Sequence, residues 1–204
     1  ARYGISRERQ DALALESQRR AAAAIAAGRF AGQILPVPVA SRGAATEFAV
    51  DEHVRPDCTA QDLAKLRPIF RIEDGTVTAG NASGINDGAA AVLLAGADAV
   101  ERYRLQPMAR LVAYGHAGVE PAYMGIGPVP ATRAALARAG LRVPDLDVVE
   151  SNEAFAAQAC AVSSELGFDP ARTNPNGGAI ALGHPVGATG AIIVTKLVHE
   201  LHRS

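Results

Sequence analysis

The chain has 204 residues, 49% hydrophobic and only 4% aromatic, with no tryptophan, so its core must be built from Ala, Val, Leu and Ile in one ordinary domain or two small ones. Its 20 basic and 21 acidic side chains leave a formal charge of −1, which gives no electrostatic reason to expect nucleic acid or a membrane surface. Two cysteines without framework spacing point to a reducing compartment, the cytoplasm, rather than a disulfide scaffold, and no apolar run reaches transmembrane length.

In chain order, an Ala-rich helix is expected from Arg7 to Ala27, ended by Gly28. Ile34 to Val39 carries two prolines that restrict it to an edge or irregular strand, and a polar, loop-rich stretch follows through Gly75. Residues 1–84 therefore read as a partial lid segment. From Ile85 onward the pattern alternates: strands at 89–95, 109–114 and 147–150, with helices at 98–105, 129–139 and 154–166. A final helix, from about Val186 to His202, is apolar on nearly every side and is expected to be buried between layers. The fold class is α/β, with residues 85–204 as a layered carboxyl-terminal domain.

The densest motif is Gly177-Gly178-Ala179-Ile180-Ala181-Leu182-Gly183-His184-Pro185-Val186-Gly187-Ala188-Thr189-Gly190. Glycines open backbone angles closed to other residues and let a ligand approach the main chain, while Pro185 fixes φ just after the histidine. His184 is either an ordinary residue of a helix-start loop or an imidazole held to move a proton near neutral pH. Upstream, Ser151-Asn152-Glu153-Ala154-Phe155-Ala156 follows the apolar run at 146–149. Asn152 and Glu153 thus stand at the carboxyl end of a strand, where α/β sheets gather ligand-binding groups, unless Asn152 is only a helix cap. The glycine spacing does not fit a dinucleotide or phosphate loop, no Gly-x-Ser-x-Gly elbow occurs, and the other histidines are scattered, so no zinc site is expected.

Together these two motifs resemble the thiolase family, enzymes that make or cleave 3-ketoacyl-CoA thioesters. Thr78-Ala79-Gly80-Asn81-Ala82-Ser83-Gly84-Ile85-Asn86-Asp87-Gly88, Met124-Gly125-Ile126-Gly127-Pro128, Leu66-Arg67-Pro68-Ile69-Phe70 and the opening Tyr3-Gly4-Ile5-Ser6-Arg7-Glu8 are similar too, in family order. The whole chain resembles the second half of a thiolase subunit. The resemblance implies that His184, with a water held by Asn152, forms one oxyanion hole, and that His184 activates a nucleophilic cysteine. It further implies that Arg55, Ser83, Phe70, Met124 and Phe155 contact acyl-CoA or CoA, which enters as substrate; no separate cofactor is expected. Read without the family, Arg55 is a loop charge, Ser83 a turn residue and the three apolar side chains core.

Both family cysteines are absent: Cys58 lies in a polar stretch and Cys160 on an Ala- and Val-rich helix, neither in a nucleophile's setting. The expectation is a chain internal to a longer protein, inactive alone, that joins a missing amino-terminal half in a homo-oligomer, a dimer or tetramer. The alternative is a noncatalytic acyl-CoA binding or assembly module derived from a thiolase.

Overall fold

The computed structural model describes residues 2–41, 43–71 and 73–203. Helix α1 (Arg7–Ala26) begins where the Ser6 hydroxyl accepts the Arg9 amide at 3.2 Å, and Gly28 follows it at φ +66°. Its buried residues, Gln10, Ala14, Ser17, Gln18, Ala21 and Ala24, recur every three or four positions and are all small or amide-bearing. Such a stripe lets other backbone come close. α1 packs on α2 (Ala60–Ala64), α5 (Ala156–Leu166) and α6 (Ala179–Leu182), where Ala14, Leu63, Ala156 and Ile180 form one apolar cluster.

The expected irregular strand is β1 (Val37–Ser41), paired antiparallel with β2 (Ala44–Phe48) so that Pro38 faces Glu47. Proline is tolerated there because a two-stranded ribbon has only edges. The stretch read as loop thus contains β2, and it also contains α2, whose Thr59 and Asp62 cap each other reciprocally at 3.2 Å in both directions.

Farther on, α3 (Ala97–Tyr103), α4 (Pro128–Ala139), α5 and α7 (Thr189–Leu201) lie close to their expected places. The three strands do not form. Among the described residues 89–95 and 109–114 carry no strand pairing, and 147–150 is reduced to a single parallel bridge between Val149 and Thr173. A strand is defined by its neighbour, and Leu93, Leu94, Leu111 and Val112 stand exposed with no strand beside them among the described residues.

The last helix also departs from expectation. Its buried residues are Thr189, Lys196 and Glu200, while Val194 and Leu201 are exposed. The buried face is polar because its partners are polar. Lys196 Nζ donates to Glu150 Oε2 at 2.8 Å and to Gly177 O at 2.6 Å, and Glu200 accepts from Asn176 Nδ2 at 2.7 Å and from Arg203. Among the described residues no helix is long and apolar enough to cross a membrane.

Candidate functional site

Residues 76–86 form the spine of the site. Asn81, fully buried, donates to Asp11 Oδ1 at 2.8 Å on α1 and accepts the Thr78 amide at 2.8 Å, which fixes the spine against the helix. From there Ala82 bridges Phe155 antiparallel, the Ser83 amide and hydroxyl both donate to Ala154 O at 3.0 and 2.9 Å, and the Ala156 amide donates to Asn81 O at 2.9 Å. The loop that carries Asn152 is thereby clamped before α5 begins. The cap residue of α5 is Phe155, so Asn152 is not a helix cap.

The second loop is clamped by the same spine. The His184 amide donates to Gly84 O at 3.1 Å and to Asn86 Oδ1 at 3.3 Å. Gly183 sits at φ +97°, and a Cβ there would meet Asn86 Oδ1 at 2.5 Å, so both backbone angle and space require glycine. His184 lies between α6, which the sequence reading did not anticipate, and α7.

These two clamps bring together side chains 32 residues apart: Asn152 Nδ2 lies 3.3 Å from His184 Nε2. His184 Nδ1 lies 2.8 Å from Thr189 Oγ1 on the first turn of α7. The ring and the amide are both partly buried, and Asn152 Oδ1 is buried with no partner among the described residues. An acceptor left open beside an imidazole is a place for a donor from water or ligand. The pair can therefore exchange a proton and offer N–H groups to a developing negative charge.

Beneath them a carboxylate locks the loops to each other. Glu153, 2% exposed, accepts from Ser17 Oγ at 2.7 Å, Asn174 Nδ2 at 2.9 Å and the Ile180 amide at 3.4 Å. Gly178 lets it in: a Cβ there would lie 2.2 Å from Glu153 Cδ. Gly177, at φ +77°, has the matching role toward α1, since its Cβ would meet Ala21 Cβ and Ser17 O at 2.7 Å.

The remaining sequence-picked residues divide. Phe70 packs edge-on against Phe155, ring centroids 6.4 Å apart at 61°, yet is 58% exposed, and Met124 is 76% exposed, so neither is core. Ser83 is committed to the Asn152 loop. Arg55 is an exposed side chain whose backbone amide donates to Gln18 Oε1 at 2.7 Å. Arg55 and Met124 make no hydrogen bond or ring contact with the other sequence-picked site residues among those described. Burial pushes both thiols up, with the Asp62 charge adding to it at Cys58, so neither cysteine is a ready thiolate.

Three residues of the site escaped sequence reasoning: Thr189, Asn86 and His53. His53 Nδ1 donates to Ala181 O at 3.1 Å across 128 residues, and its Nε2 faces Gly84 closely enough that a Cβ there would sit at 2.4 Å. No spacing rule announces such a contact. Glu153, placed beside Asn152 at a strand end by its sequence, is turned inward as a buried acceptor.

The profile for the thiolase amino-terminal domain matches residues 1–98, and that for the thiolase carboxyl-terminal domain matches 105–204. Beta-ketothiolase BktB of Cupriavidus necator is 63% identical over 201 residues, covering 98% of this chain and 51% of the relative; acetyl-CoA acetyltransferase of Chromobacterium violaceum is 56% identical, covering 100% and 52%. The solved acetyl-CoA acetyltransferase of Bacillus anthracis superposes with a TM-score of 0.96 at 49% identity, over 99% of this chain and 51% of that one. Human mitochondrial 3-ketoacyl-CoA thiolase, solved in complex with CoA, superposes with a TM-score of 0.91 at 48% identity, over 99% and 50%. The chain spans about half the length of the curated relatives it matches. It has the α/β fold of those enzymes and belongs to the thiolase family.

Proposed function

We propose that these residues supply the carboxyl-terminal half of a thiolase-type acyltransferase that makes or cleaves 3-ketoacyl-CoA, either joining two acetyl-CoA into acetoacetyl-CoA and CoA or running the thiolysis. The observation that carries this reading is the 3.3 Å approach of Asn152 to His184 on two loops clamped by one spine. The names of the relatives, and the CoA bound to one solved neighbour, support the substrate class.

In this reading His184 Nε2 takes the proton of a cysteine thiol supplied by the missing half, and the thiolate attacks the thioester carbonyl. The resulting Nε2–H, with a water on Asn152, faces the oxyanion. In the joining direction, collapse of that intermediate breaks the bond to the CoA sulfur, which takes the proton from Nε2 and departs as CoA, and the acyl group stays on the cysteine, the first half of a ping-pong cycle. A second cysteine, also outside this chain, moves the α-carbon proton. CoA lies along Phe70, Met124, Phe155, Ser83 and Arg55, where apolar side chains and an exposed guanidinium suit its pantetheine arm and phosphates.

The test is thiolysis of short and long 3-ketoacyl-CoAs by the intact protein and by the 204-residue chain alone. Turnover by the intact protein and none by the chain alone supports the proposal; acyl-CoA binding without turnover by the intact protein favours a noncatalytic binding module.

A further inference from the structure

We propose that Thr189 is a positioning residue that holds His184 in the Nδ1–H tautomer and so keeps Nε2 the unprotonated, basic nitrogen. One hydroxyl proton decides the tautomer. Thr189 Oγ1 lies 2.9 Å from Pro185 O, and a carbonyl oxygen only accepts, so the single hydroxyl proton is committed to that bond. What Oγ1 presents to His184 Nδ1, 2.8 Å away, is therefore a lone pair, and Nδ1 must carry a hydrogen to meet it. A neutral imidazole has one N–H. Nε2 is then the acceptor, and the group facing it at 3.3 Å is the Asn152 amide nitrogen, a donor.

The three contacts thus point the same way: Asn152 donates to Nε2, Nδ1 donates to Thr189, and Thr189 donates to Pro185 O. The reverse tautomer would set Nε2–H against the Asn152 N–H and would need the threonine proton withdrawn from Pro185. Thr189 is well placed to hold this order. It is 6% exposed, and its backbone is fixed by its own amide donating to Pro185 O at 2.8 Å as α7 begins. The histidine's second nitrogen therefore has a partner that sets ring orientation and tautomer without bringing a charge.

This inference deepens the acyl-transfer reading above, because a base at Nε2 is what activation of a thiol requires, yet its first test does not depend on turnover. In the intact protein, labelled with ¹⁵N at histidine and held at a pH where His184 is neutral, two-bond ¹H–¹⁵N correlation should show Nδ1 protonated and Nε2 unprotonated. Thr189→Val keeps the shape and removes the acceptor; it should shift His184 toward the Nε2–H form, and Thr189→Ser should restore Nδ1–H. Finding Nε2–H in the parent protein overturns the proposal, as does an unchanged tautomer in Thr189→Val or a failure of Thr189→Ser to restore it. With 3-ketoacyl-CoA as substrate, kcat should fall about tenfold to a hundredfold in Thr189→Val with KM little changed, and recover in Thr189→Ser. A parent protein that shows the tautomer but no thiolysis refutes the acyl-transfer reading alone.

Discussion

Replacing Gly178 by alanine adds one methyl group to the most crowded point of the site. The backbone there is extended, at φ −128° and ψ −163°, so alanine meets no conformational objection. Without a steric conflict the substitution should stabilise the protein by about 0.4–1 kcal/mol, because alanine narrows the unfolded ensemble. The structure reverses that sign. The new Cβ would lie 2.2 Å from Glu153 Cδ, whereas ordinary contact begins at 3.4 Å. The carboxylate cannot retreat without breaking its bonds to Ser17, Asn174 and Ile180. Overpacking together with one weakened hydrogen bond to a charged group amounts to about 3 kcal/mol of destabilisation. Urea unfolding of Gly178→Ala in the intact protein measures it. In a Glu153→Ala background the same change should be close to neutral, giving a coupling of about 2 kcal/mol or more. A Gly178→Ala protein as stable as its parent, or an equal loss in both backgrounds, refutes the reasoning.

The buried pair of Glu150 and Lys196, with side chains 2% and 7% exposed, gives a second expectation. Lys196→Met leaves the Glu150 carboxylate without its cation and should cost about 3–5 kcal/mol in urea unfolding, much of it recovered by Glu150→Leu in the same chain. Burial raises the Glu150 pKa despite the pull of Lys196. The folded state therefore binds that proton more tightly than the unfolded state, so the stability linked to it is present below the unfolded value and falls as pH rises through the folded one. Glu150→Gln should flatten this decline in stability measured from about pH 4.5 upward. With both thiols pushed up by burial, iodoacetamide followed by mass spectrometry should alkylate Cys58 and Cys160 more slowly at neutral pH than an unhindered cysteine, and buried Cys160 more slowly than half-buried Cys58.

Helix ends were the most legible part of the fold. Gly28, Gly140 and Gly167 stand at φ +66°, +69° and +68° just past α1, α4 and α5, where the αL conformation favours glycine. Strands were the least legible, because an apolar run around Leu93 or Leu111 records only that a segment is to be buried, while pairing depends on a neighbour that lies elsewhere. α7 misled for a related reason: apolar composition suggested burial, but the face turned inward is set by Lys196 and Glu200, four residues apart, whose partners Glu150 and Asn176 stand on loops elsewhere in the chain. At the site, His184 could be picked because glycine spacing reports backbone shape, and Asn152 because it follows an apolar run in a stretch that resembles the family's. Thr189 and Asn86 could not, since their contribution is a hydrogen-bond direction and a latch that exist only after the chain has closed.

The central claim is that Asn152 and His184 act as one unit on the thioester oxygen. The most direct measurement is kcat for thiolysis of acetoacetyl-CoA by the intact protein carrying Asn152→Ala, His184→Ala, or both. Each single change should lower kcat by a hundredfold or more, roughly the loss of one oxyanion donor or of a general base, and the double variant should be barely worse than the His184 variant. Activity of either single variant within about twofold of the parent, or effects that simply multiply in the double, would contradict it.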